Sequence, residues 1–244
     1  MKSQMSAENG TIILVHGAWA DGSCWQNVIL PLDRLGLDVI CAPIPLTSLS
    51  DDIAALSRVL ERTSGPVVLA GHAYAGAVIA GPTDERIKAL VYIAALAPGD
   101  GETVAQVFYR EKPHADAPHL EPDQHGFIWM PEEGFRNAVL HKASAEQKII
   151  SAAVQRSIAV KCIQEVPPTP TWKMKPTWYL LAEEDRMISP KTQRFMAERM
   201  GAKIHSHPVD HSPMYTAPNL VVEIISEAVR EKISSGKARG ARGE

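Results

Sequence analysis

The segment richest in chemistry is Leu69-Ala70-Gly71-His72-Ala73-Tyr74-Ala75-Gly76. An apolar, strand-like run enters it and a helix-forming run leaves it, with small residues on either side of the turn. A strained strand-to-helix elbow needs that composition, because a bulky side chain would clash where the chain reverses. Such an elbow lifts one side chain above the sheet and aims it at the first turn of the helix, where free backbone N–H groups hold an oxyanion. Serine is the usual residue there. This chain has Ala73, and Ala75 replaces the second glycine of the turn.

Three other segments fall where an elbow would use them. His16-Gly17-Ala18-Trp19 follows the first apolar run, and a sharp loop there supplies a second oxyanion donor, the N–H of Ala18. The run from Tyr179 to Ile188 ends a late strand with the acids Glu183, Glu184 and Asp185. Val209-Asp210-His211-Ser212-Pro213-Met214 places a histidine on a loop between the last strand and the last helix. A histidine paired with an acid is a general base, and it activates a hydroxyl or a water for attack on a carbonyl.

Each of these residues has a plainer reading. A histidine such as His211, met alone, is more often a surface-loop residue than a catalyst; the elbow and the acids reverse those odds. His72 and His16 read as structural, hydrogen-bonded to backbone. Ser23 and Cys24 are the other nucleophile types near the His-Gly loop, but Ser23 reads as a turn residue and Cys24 as core. His114, His119, His125 and His141 have spacings that fit no compact ligand pair on a helix, so neither a metal nor a cofactor is expected. Nucleotide-binding motifs fail too. No G-x-G-x-x-G follows the first strand, and Ala77 stands where a P-loop would need lysine.

The elements that position these residues alternate. Strands are expected at Thr11 to Val15, Leu37 to Ile44, Pro66 to Ala70 and Ala89 to Ala95, each a short apolar or β-branched run. Helices are expected between them at Cys24 to Leu35, after a Ser50 cap, and from Ala75 to Ala80. Strand–helix alternation implies parallel strands with helices on both faces. The pattern breaks after Pro98: Gly99 to Lys175 holds no core strand, and Thr103 to Arg110 and Ser144 to Arg156 read as amphipathic helices. This stretch reads as a helical insertion over one edge of the sheet. Alternation returns with a strand at Thr177 to Leu181, a helix at Pro190 to Met200, a strand at Lys203 to His207 and a helix at Pro218 to Ser234.

Taken together, the four motifs resemble the α/β-hydrolase superfamily over nearly the whole chain. The likeness is greatest to small bacterial esterases and to the plant methyl-ester esterase and hydroxynitrile lyase group. It implies the α/β-hydrolase fold: a mostly parallel central sheet, helices on both faces, residues 1–98 and 176–234 as the core, 99–175 as a helical cap, and 235–244 as a disordered tail. It also implies that Ala73 occupies the nucleophile position, that Asp185 is the acid and His211 the base, and that Ala18 and Tyr74 offer the oxyanion N–H groups. Asp185 is preferred to Glu184 because its spacing to Ile188-Ser189-Pro190 matches the family loop. The sequence order of nucleophile position, acid and histidine is that of this fold. Trp19, Phe108 and Trp129 are candidates to line an apolar substrate pocket, with packing inside the cap as the competing reading.

The departure at Ala73 limits what can be carried over. A methyl group neither attacks a carbonyl nor passes a proton to histidine, so the acyl-enzyme route is closed. Alanine there is either an engineered Ser→Ala replacement or the native residue. If native, the His211–Asp185 pair can still act as a general base in a serine-independent hydrolase or lyase. A binding protein that has lost its chemistry is the alternative from another class.

Composition bounds the rest. The 244 residues carry 25 Lys+Arg and 28 Asp+Glu, a net charge of −3, which argues against a nucleic-acid partner. With 45% hydrophobic and 22% charged residues, the chain is an ordinary globular one and is long enough for a sizeable core. No apolar run reaches the length of a membrane span. Three cysteines and a polar start point to reduced thiols and the cytoplasm, and the expected partner is a small molecule acting on a monomer or homodimer.

Overall fold

The computed structural model describes residues 10–234; the expected disordered tail lies outside the described residues. Strands β1 (Thr11–Val15), β2 (Asp38–Ala42), β3 (Val67–His72), β4 (Ile87–Ile93), β7 (Thr177–Ala182) and β8 (Lys203–His207) form one sheet, with β5 (Phe127–Ile128) and β6 (Ile158–Ala159) pairing apart from it. The order across the sheet is β2-β1-β3-β4-β7-β8, and every neighbouring pair is parallel. From β1 the chain steps outward to β2 and returns to the far side of β1 as β3. Strand order therefore reverses between β1 and β3, and in open parallel sheets ligands bind in the crevice at that switch point.

Two apolar cores follow from the period-2 alternation of strand side chains. Ile12, Leu14, Val68, Ala70, Val91 and Leu180 face one layer, against helices α1 (Gln26–Arg34) and α10 (Pro218–Val229). Ile13, Val15, Leu69, Tyr92, Tyr179 and Leu181 face the other. That second layer holds α2 (Leu49–Glu61), α3 (Ala75–Ile79) and α8 (Pro190–Arg199). The edge strands β2 and β8 are only partly covered.

Local chemistry sets the ends of the helices. Ser48, not Ser50, caps α2: its extended backbone (φ −160) lets the hydroxyl accept the Asp51 N–H at 3.0 Å, so the helix starts at Leu49, which is buried. In the segment after β4, Thr103 and Gln106 form a reciprocal capping box that starts α4 (Val104–Phe108). Ser144 likewise caps α6 (Ala145–Ala153). The first expected helix opens as a 3-10 turn, Gly22–Trp25, capped by Asp21.

The segment between β4 and β7 also holds α5 (Glu132–Gly134), which continues as a π-helical turn Phe135–Val139, and α7 (Val160–Gln164). It does not lie over a sheet edge. It bridges loops beyond the carboxyl ends of several strands: Ala159 donates to the Leu46 carbonyl at 2.9 Å, and Ile128 accepts from the Trp19 indole at 3.0 Å. Lys142 ties it to the far side, pairing with Glu184 at 2.7 Å and donating its N–H to Asp210 at 3.2 Å. No helix among the described residues is long and apolar enough to cross a membrane.

Candidate active site

Among the described residues, four other than glycine have positive φ: Trp19 (59°), Leu46 (62°), Ala73 (50°) and Ala94 (44°). They stand beyond the carboxyl ends of β1, β2, β3 and β4 in turn. Left-handed backbone costs an L-residue roughly 1–2 kcal/mol, and such strain concentrates at functional sites. Here it sharpens the turns above one end of the sheet.

The elbow between β3 and α3 shows why its neighbours are small. A Cβ on Gly71 would come 2.8 Å from the Ala75 carbonyl oxygen, and one on Gly76 would come 2.3 Å from that of Leu96. Ala75 is fully buried without such a clash, so alanine fits at the second glycine position. Ala73 tops the turn, and its methyl group borders a pocket enclosing about 1060 Å³ of empty space, open solvent at the mouth included. Ala18 and Tyr74 border the same pocket. Tyr74 immediately precedes α3, so its N–H belongs to the end of the helix where donors lack intrahelical partners.

Below the elbow, the Tyr74 hydroxyl donates to Asp52 Oδ2 at 2.6 Å, and Asp52 Oδ1 accepts the Leu46 N–H at 2.7 Å. Asp52 is fully buried, and burial pushes its carboxyl up despite these donors. One carboxylate thus pins the elbow residue to the strained loop after β2.

The acid and the histidine meet. His211 Nδ1 lies 2.8 Å from Asp185 Oδ2, with both residues buried. Asp185 is held in the loop after β7 by the N–H groups of Met187 (2.7 Å) and Ile188 (2.9 Å) on Oδ1, and by Gln193 Nε2 (2.8 Å) on Oδ2. Gln193, fully buried on α8, also accepts the Ala182 N–H at 3.0 Å, which locks the amide in one orientation. Because Asp185 carries no proton donor of its own when ionised, the imidazole donates through Nδ1 and turns Nε2 toward the pocket. Glu184, the rival acid, points away to Lys142.

The other two histidines of the motifs serve backbone. His16 Nδ1 sits 2.9 Å from the Gly17 carbonyl, and burial lowers its pKa to about 4. His72 Nε2 sits 2.8 Å from the His211 carbonyl, and burial holds its pKa well below the usual histidine value. Both are neutral near pH 7, so each donates one N–H to a carbonyl of the site.

Of the aromatic candidates, Trp19 and Phe108 line the pocket. Trp129 does not. It is 53% exposed, just past the end of β5, with its indole N–H turned to Asp123 at 3.3 Å. Cys24 borders the pocket, and burial pushes its thiol well above the usual range, which leaves it a poor nucleophile. Among the described residues no group of three or more His, Cys, Asp or Glu is placed to hold a metal ion. Sequence reasoning missed Asp52 and Gln193 as parts of this site.

Residues 12–224 match the model of the alpha/beta hydrolase family. The chain is 25% identical to methylesterase 2 of Arabidopsis thaliana over 86% of this chain and 92% of the relative. It is also 25% identical to a carbendazim hydrolyzing esterase of a Nocardioides species, over 86% of this chain and 96% of that one. Among solved structures, polyneuridine aldehyde esterase superposes with a TM-score of 0.77 at 18% identity, covering 89% of this chain and 98% of its own. A pyrethroid hydrolase from Sphingobium faniae gives 0.75 at 21% identity, with 90% and 97% covered.

Proposed function

The chain belongs to the alpha/beta hydrolase family, and from that premise we propose that its site hydrolyses carboxylic esters of small, mostly apolar molecules, with water taking the place of the missing side-chain hydroxyl. The observation that carries this reading is the buried Asp185–His211 pair opening onto a pocket beside the Ala73 elbow. In this reading the ester carbonyl accepts hydrogen bonds from the N–H groups of Ala18 and Tyr74. His211 Nε2 removes a proton from a water beside the Ala73 methyl group. The hydroxide attacks the carbonyl carbon, and the resulting oxyanion is held by the two N–H donors. The imidazolium, steadied by Asp185, then returns its proton to the departing alkoxide as the C–O bond breaks. Three free cysteines support a reducing, cytoplasmic setting.

Loss of a side-chain nucleophile costs up to about a million-fold in turnover, so the water route is slow for activated esters. Initial rates on short-acyl aryl esters, for this chain and an Ala73→Ser variant, test the proposal. The expected result is weak hydrolysis by the chain, abolished by His211→Ala, and a gain of about a thousand-fold or more in the serine variant. Absence of turnover in both proteins overturns the ester reading.

The same methyl group favours a second reading, in which a substrate's own hydroxyl loses its proton to His211 and a bond beta to that oxygen breaks. Cleavage of a β-hydroxy ketone by the alanine chain, lost on Ala73→Ser, would select it.

A further inference from the structure

Away from His72, His211 and Ser212 the pocket is mostly apolar, with a second group of polar side chains at the Asp21 end. Among the described residues neither lysine nor arginine lines it, and Asp21 is the carboxylate that does. Asp21 Oδ1 is occupied by the Ser23 N–H (2.8 Å) and hydroxyl (2.5 Å); from the described residues Oδ2 receives no hydrogen bond. Those bonds from Ser23, aided by His16 and Arg156 nearby, outweigh partial burial and hold the carboxyl below its usual range, hence ionised. Arg156 itself spends its guanidinium on the Ile44 carbonyl at 3.2 Å and stays out of the pocket lining.

Two hydroxyls share this end. Ser151, on α6 and buried, accepts from Gln147 Nε2 at 3.1 Å, and its oxygen keeps a second lone pair for another donor. Tyr215, on α9 (Pro213–Thr216), has the Ser151 hydroxyl beside it and lies within electrostatic reach of Asp21; burial outweighs that hydroxyl and keeps the phenol protonated. Loop, cap helix and the segment after His211 each contribute one group.

We propose that Asp21, Ser151 and Tyr215 form a second recognition point within the pocket, which takes a protonated amine on an otherwise apolar substrate and rejects anionic ones. The assignment rests on the reading of this pocket as the substrate site. An ionised, half-buried carboxylate bordering an apolar pocket attracts a cation and repels a second anion. Hydroxyl oxygens of Ser151 and Tyr215 can accept the remaining ammonium N–H groups.

The test is equilibrium binding at pH 7 of phenylbutylamine, phenylbutanol and phenylbutyrate to the unaltered chain, followed by calorimetry. These ligands share one apolar body and undergo no turnover. The amine is expected to bind about tenfold or more tightly than the carboxylate, with the alcohol between them. Asp21→Asn, which keeps the cap of the 3-10 turn, should erase the preference for the amine while leaving the alcohol within about twofold. Equal or tighter binding of the carboxylate, undetectable binding of the amine, or an order unchanged by Asp21→Asn would each overturn the proposal. Because binding needs no hydrolysis, the recognition point stands or falls independently of the ester assay.

Discussion

His72, the residue before the proposed nucleophile position, donates from Nε2 to the backbone carbonyl of His211, the proposed base, across 2.8 Å. Their rings also touch, with centroids 4.8 Å apart. The strand that carries the elbow therefore holds the loop that carries the base, and it does so through a buried histidine kept neutral by desolvation.

Replacing that donor should uncouple the two loops. In an Ala73→Ser background, His72→Leu leaves a buried carbonyl unpaired and is expected to destabilise the fold by about 1–3 kcal/mol. Turnover should fall at least about tenfold with KM little changed, because the lost contact orients the base and not the substrate. Urea unfolding and steady-state kinetics read the two effects separately.

Acid should weaken the fold through the same histidines. His16 has its pKa lowered to about 4 by burial, and burial also holds His72 well below its ordinary value, so the folded state binds fewer protons than the unfolded chain below about pH 6.5. Their contribution is complete above pH 6.5 and is lost as pH falls toward 4; for His16 it amounts to about 3 kcal/mol. Unfolding free energy measured from pH 7.5 to 4.5 should fall with pH, and His16→Asn should flatten part of that slope.

The buried Tyr74–Asp52 bond yields a third expectation. Tyr74→Phe removes one of the donors to a fully buried carboxylate and should cost about 1–3 kcal/mol in stability. The double variant Tyr74→Phe, Asp52→Leu should recover part of that loss, since an apolar pair leaves no orphaned charge. Denaturation midpoints of the three proteins decide it.

Ala73 itself is strained at φ +50. Ala73→Gly should raise stability by up to about 1 kcal/mol, the relief of left-handed backbone being partly offset by added freedom in the unfolded chain. The melting temperature should rise by about 2–4 °C.

Much of the site was legible because it is built from local turn chemistry. His-Gly-Ala-Trp, the small residues around Ala73 and the Asp185 loop each follow a strand whose apolar run marks itself, the His211 loop follows the more polar β8, and the parallel order of strands brings them to one end. Asp52 was not legible. An acid in the first turn of a helix reads as a solvated partner of the dipole, and nothing local says that a tyrosine in the next βα unit will reach it. Gln193 hid for the same reason, as one more polar residue in a helix whose partner lies eight positions upstream. Trp129 misled because aromatic type indicates burial in general, whereas this residue stands in a loop after a two-residue strand, with its indole N–H on exposed Asp123.

Lys142 gives the segment over the pocket a consequence for engineering. One side chain on that segment grips Glu184, the neighbour of the acid, while its backbone grips Asp210, the neighbour of the base. The segment that shapes the walls is thus tied to the two loops that carry the proposed acid and base. A chimera that exchanges residues 99–175 for another sequence to change selectivity would also release both charged loops, unless a lysine is grafted back at this point. A search for new substrates by exchange of that segment should therefore keep Lys142 fixed.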